Sequence, residues 1–79
     1  MTTMIERREI MEAYSVWRTA MEGYSWGETA AMWKVITGLW YLQADVIEMP
    51  DESADLIRSM KGDHGMTICK ALMAKHGLN

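Results

Sequence analysis

The stretch Ser25–Met49, SWGETAAMWKVITGLWYLQADVIEM, constrains this chain more than any other. Set out at helical spacing it reads as one amphipathic helix with a broad apolar side. Met32, Ile36, Leu39 and Val46 form a central seam, with Val35, Leu42 and Met49 on one flank. Trp26, Trp33, Trp40 and Ile47 recur every seventh residue on the other flank. The polar arc is narrow, carrying Lys34, Thr37, Tyr41, Asp45 and Glu48. A helix this apolar needs cover from more than one direction, by the rest of the chain or by another molecule.

The rest of the chain is short. Seventy-nine residues make one domain, and a chain of that size buries only about 60–65% of the surface its unfolded form exposes. Small domains usually gain support from disulfides, a metal or self-association. Cys69 is the only cysteine, which excludes an internal disulfide. A lone thiol also fits a reducing, cytoplasmic setting. The opening MTTMIERREIMEA is charged where a secretory signal needs an apolar core. No run of about 18 apolar residues is present, so no membrane span is expected. Nine methionines, four tryptophans and no phenylalanine make up an unusual apolar set. Methionine fills irregular gaps in cores and in adaptable binding surfaces alike. A net charge of −3 supplies no electrostatic pull toward nucleic acid. With proline scarce and no β-branched run of alternating polarity, the chain is expected to be all-α.

Four helices are predicted, at about 4–22, 26–49, 51–61 and 66–76. Thr3-Met4-Ile5-Glu6 matches a capping box for the first. Ile10, Tyr14, Trp17, Met21 and Tyr24 follow at spacings of four, three, four and three, a bundle-type seam. Arg8, Glu12, Ser15, Thr19 and Glu22 make the solvated side. Ser25-Trp26-Gly27-Glu28 is a second capping box, after a break at Gly23-Tyr24-Ser25. The short connection implies an antiparallel αα-hairpin, with Tyr14 and Trp17 meeting Trp33, Ile36 and Trp40. Pro50 ends the second helix and opens the third, where Asp51, Glu52 and Asp55 suit the positive helix end. Gly62-Asp63-His64-Gly65 is a loop. Ile68, Cys69, Leu72 and Met73 form the inner side of the last helix, and Gly77-Leu78 fits a Schellman stop, with Leu78 folding back on Met73. The fold expected is a small bundle of three to four helices built on a long antiparallel αα-hairpin, a single domain over residues 1–79.

Chemistry-bearing constellations are sparse. Asp63, His64, Cys69 and His76 crowd the last third, but their spacings of five and seven match no metal-ligand pattern. Cys69 falls on the predicted inward side and no nucleophile motif surrounds it. GDHG places an acid where a phosphate loop needs none. No catalytic residue, cofactor or metal is therefore assigned. An excess of acids at Asp45, Glu48, Asp51, Glu52 and Asp55 suggests a ridge that docks on a basic partner or on the basic end of another copy, with helix-dipole matching and ordinary solubility as the plainer account. Gln43 falls in the middle of the apolar side, where it either bonds across the seam or marks where that side reaches water. The tryptophan column carries the functional expectation, because three short helices can hardly bury it together with the Met32 seam. Tryptophan and methionine are enriched at interfaces. Trp26, Trp33, Trp40 and Met32 are thus the expected partner interface.

These features point to a small, non-enzymatic interaction or regulatory protein that binds another protein or a second copy of itself. Small accessory inhibitors and adaptors, including those carried by phages, are the class of that size. The alternative is a helix-turn-helix DNA-binding regulator over residues 50–78. Its reader helix would offer Thr67, Lys70, Ala71, Ala74 and Lys75, a thin set for base contacts. A membrane-surface helix fits less well, since the polar arc is mostly acidic.

Overall fold

The computed structural model describes residues 1–38 and 45–77. The chain order is β1 (Thr2–Glu6), α1 (Arg7–Ala20), α2 (Trp26–Thr37), β2 (Val46–Pro50), α3 (Asp51–Lys61) and α4 (Gly65–Lys75). The all-α expectation is thereby overturned: β1 and β2 pair as a two-stranded antiparallel sheet. The register sets Thr2 against Pro50, Met4 against Glu48 and Glu6 against Val46. Arg7 N–H donates to the Asp45 carbonyl at 2.8 Å, and Asp51 N–H to the Met1 carbonyl at 3.2 Å. Antiparallel pairs alternate between hydrogen-bonded and open, so the 1/51, 3/49, 5/47 and 7/45 pairs carry the ladder. Pro50 falls in an open pair, where its missing N–H costs the ladder nothing.

The long second helix is where the expectation fails first. It ends at Thr37, because Gly38 takes a left-handed conformation with φ 76° and its N–H bonds the Lys34 carbonyl at 2.7 Å. Val46–Pro50 is then extended, with Ile47 and Met49 turned inward and Val46 and Glu48 outward. A five-residue segment of this kind, with Val46, Ile47 and Met49 as its apolar side chains, satisfies a helical wheel and a strand equally well. β-Branched Val46 and Ile47 favour the strand once a partner is present. The N-terminus shows the same substitution. The Thr3–Glu6 cap does not form; Thr3 is in mid-strand, and α1 starts at Arg7, with Glu6 N–H donating to the Glu9 carboxylate at 3.3 Å. The C-terminal helices lie where expected, within a residue at each end.

The core sits where α1 meets α3 and α4, and the inner face of the sheet closes one end of it. Ile10, Tyr14, Trp17 and Met21 of the predicted seam are all buried, joined by Ile5, Met49, Ile57 and Met60. The expected αα-hairpin is not the frame of the molecule, since α1 packs chiefly on α3 and α4 and touches α2 more sparingly. Two devices hold α2 in place. The Trp17 indole N–H donates to the Thr29 carbonyl at 3.1 Å, and Tyr14 meets Trp33 edge-on with ring centres 5.0 Å apart. An ion cluster fastens α1 to α3: Glu9 lies 3.3 Å from Arg58 and 3.4 Å from Lys61, which also reaches Glu12 at 3.5 Å. Gly65 opens α4 because a β-carbon there would sit 2.0 Å from the Met60 carbonyl oxygen.

No helix among the described residues is long and apolar enough to cross a membrane. Leu39, Trp40, Tyr41, Leu42, Gln43 and the Leu78 stop lie outside the described residues.

Candidate interaction surface

The predicted tryptophan column is split by the fold. Trp33 is 1% exposed and belongs to the core, packed on Tyr14 and tilted against Trp17 at 6.4 Å. It is unable to meet a partner while the protein is folded. Trp40 lies outside the described residues, and Met32 is half-buried against the core. Trp26 alone of the described tryptophans is exposed, at 57%.

Trp26 owes this position to local signals. Gly23 has φ 97°, a left-handed conformation that lets the chain leave α1 and turn back. Ser25 then caps α2: its hydroxyl accepts from Glu28 N–H at 3.2 Å while its own N–H donates to the Glu28 carboxylate at 3.3 Å. This box makes Trp26 the first helical residue. The Arg18 guanidinium stacks over its ring, 4.5 Å from the centre. The Trp17–Thr29 hydrogen bond one turn away fixes the start of α2 against α1. The indole is therefore oriented while much of its surface faces solvent.

Trp26 forms one wall of an open groove of about 640 Å3, the rest of which comes from Met11, Tyr14, Ser15, Arg18, Thr19 and Glu22. Met11, Ser15 and Arg18 follow one another at spacings of four and three, a ridge along the outer side of α1, and Glu22 lies just past the end of the helix. Ser15 and Thr19 are small, and the Thr19 hydroxyl is turned back onto the Ser15 carbonyl at 3.0 Å. The groove thus has apolar walls at both ends, a low middle, and one charge of each sign. From sequence, this side of α1 reads as a plain solvated face. Met11 was the available signal, an apolar residue on a polar side; the approach of Arg18 to Trp26 had none.

The acidic ridge is also dispersed. Asp45 lies 3.6 Å from Arg7, Glu48 accepts from the Thr2 hydroxyl at 2.7 Å, and Asp51 accepts from the Thr3 hydroxyl at 2.6 Å. These three acids fasten the β1 end of the chain to β2 and α3. Glu52 and Asp55 are exposed on the first turns of α3. Among the described residues no group of three His, Cys, Asp or Glu side chains is placed to hold a metal ion. Cys69 is buried, and that burial pushes its thiol up to about 11, far from thiolate chemistry at neutral pH.

Comparison with protein families, with curated proteins and with solved structures gives no match.

Proposed function

We propose that this chain is a non-enzymatic interaction protein, of the inhibitor or adaptor kind, that binds an amphipathic helix of another protein in the Trp26 groove. The observation that carries this is Trp26 itself: a capped, arginine-stacked indole left 57% exposed. A large aromatic already held in place loses little entropy on binding, which is why such residues dominate interface energetics. The shape favours a helical partner. The ridge on α1 repeats at helical spacing, and the low positions at Ser15 and Thr19 admit a bulky side chain between Met11 and Trp26. Arg18 and Glu22 supply a charge of each sign for the polar flank of the incoming helix.

The test is a selection of displayed amphipathic helical peptides against the protein, followed by affinity measurement on Trp26→Ala. Selected peptides should lose roughly thirtyfold or more in affinity on that substitution, and the Trp26 indole N–H resonance should shift on binding. Peptides that bind Trp26→Ala as well as the wild type would count against the groove.

DNA binding through α3 and α4 is the second candidate, and one observation favours it: two helices joined by the three-residue turn Gly62-Asp63-His64. The exposed side of α4 carries Lys70 and Lys75 as its cations, while α3 opens with Asp51, Glu52 and Asp55. That charge balance favours a protein partner over phosphates. Duplex binding that strengthens as salt falls and disappears in Lys70→Ala/Lys75→Ala would reverse the order.

A further inference from the structure

The two-stranded sheet has two outer edges, and they are not equivalent. With the 3/49 and 5/47 pairs carrying the ladder, the N–H and C=O groups of Thr2 and Met4 point away from β2. They meet no other backbone group among the described residues. On the opposite edge Val46 and Glu48 point outward in the same way, but that strand ends in Pro50, which has no N–H to offer. Proline and charge are the usual means of blunting a strand edge. β2 has both, in Pro50 and Glu48; the Thr2–Met4 segment of β1 has neither. Met4, 57% exposed, stands in the middle of the open edge.

We infer that the open edge of β1 pairs antiparallel with β1 of a second copy, joining the two sheets into one of four strands. The register follows from which groups are available. Glu6 N–H is taken by the Glu9 carboxylate, and the Glu6 carbonyl, at the N-cap position, serves the first turn of α1. Thr2 and Met4 therefore supply all the donors and acceptors. Pairing centred on Thr3 sets Thr2 of each copy against Met4 of the other and satisfies both residues completely, with every donor meeting an acceptor. Pairing centred on Met4 would call on the occupied groups of Glu6 and complete only the Met4 pair. The Thr3-centred register also keeps the two Glu6 carboxylates roughly 20 Å apart, at about 3.4 Å per residue. It opposes two uncharged segments in a chain whose net charge of −3 resists association elsewhere. The Met4 side chains become diagonal neighbours on the outer face, and the two Thr3 residues a directly opposed pair. The same operation on β2 would bring two Glu48 carboxylates onto neighbouring positions of one face.

Such a contact is smaller than the roughly 1,200 Å2 that stable interfaces bury, so association belongs in the high-micromolar range. Sedimentation equilibrium of the full chain, from about 10 µM to about 1 mM, should show the mass rise from 9.1 kDa toward twice that value. Thr2→Pro removes an outward N–H and leaves every ladder bond in place; Met4→Lys places a charge on the edge. Each should weaken the dimer roughly thirtyfold or more, while Glu48→Lys leaves it unchanged. Should either variant lose its far-UV circular dichroism, chemical synthesis with N-methyl-Met4 removes the same kind of group at no change of side chain. A monomer throughout that range overturns the inference, as does a dimer indifferent to Thr2→Pro and N-methyl-Met4. Binding of an unrelated extended peptide at this edge, with no dimer, overturns it too. Trp26→Ala leaves the dimer intact, so this result and that of the groove stand or fall separately.

Discussion

At the residue scale, the three described tryptophans do three different jobs. Trp17 is fully buried with its N–H bonded to the Thr29 carbonyl. Trp33 is equally buried, and its indole nitrogen meets no hydrogen-bond partner among the described residues. Trp26 is exposed and stacked by Arg18. Heptad spacing made Trp26 and Trp33 look alike, because a helical wheel reports direction and not what stands opposite. Their substitutions should separate sharply. Trp33→Ala should cost about 3–5 kcal/mol through the cavity it leaves, enough to unfold most of a domain this small. Trp33→Phe should cost much less, since it keeps an aromatic ring against Tyr14 and Trp17 and removes less volume. Trp26→Ala should cost about 1 kcal/mol or less, the worth of one exposed cation–π contact. Urea denaturation followed by circular dichroism distinguishes the three. A Trp33→Ala protein as stable as Trp26→Ala would contradict the core placement.

At the scale of elements, local signals were legible wherever the covalent chain itself sets the conformation. The Ser25–Glu28 box, the left-handed Gly77 and the acids opening α3 act within a few residues of themselves, whereas Gly38, equally local in its effect, reads from sequence as helix interior. α2, α3 and α4 therefore start within a residue of the expected positions. The strands were not legible because nothing local requires them. Each has five residues with two turned inward, and Thr3-Met4-Ile5-Glu6 has the form of a helix cap while serving as a strand. The turn between α3 and α4 permits a prediction of its own. At Gly65 a β-carbon would collide with backbone, at 2.0 Å from the Met60 oxygen, whereas at Gly62 it would rest 3.5 Å from the Ser59 oxygen. Gly65→Ala should lower the melting temperature by roughly 10 °C or more, as the α3–α4 approach must open; Gly62→Ala should shift it by only a few degrees. Equal melting temperatures for the two variants would show that α4 does not approach α3 as closely as described.

At the scale of the whole molecule, β1 and β2 bracket the first two helices, and the Glu9 cluster joins α1 to α3 across the core. Burial pushes the Glu9 carboxyl up, but hydrogen bonds from Arg58, from the Glu6 N–H and from Lys61 outweigh it and hold it below the ordinary 4.5. A carboxyl depressed in the folded state adds stability that is present above its unfolded pKa and lost as the pH falls through its folded one. The stability advantage of the wild type over Glu9→Gln should therefore hold at pH 7 and shrink as the pH falls below 4.5. Urea midpoints for the two proteins across that range check it; a difference that stays constant with pH would mean the carboxylate is not engaged as described.

What the sequence determined alone is the set of features carried by neighbouring residues: the buried seam of α1, the start of α2 and the two C-terminal helices. The indole later found exposed was also among the candidates, though not told apart from its buried neighbour. What tertiary structure decided is how segments distant in the chain meet, above all Thr2–Glu6 with Val46–Pro50 and α1 with the tryptophans of α2. Val46–Pro50 could close a helix or pair with a strand, and the presence of Thr2–Glu6 beside it selects the strand. Gly38 ends α2, Tyr14 and Trp17 of α1 cover Trp33, and Trp26 stays at the rim. The physical reason is that a short apolar run has no preferred period of its own, so its conformation follows whichever surface is available to cover it.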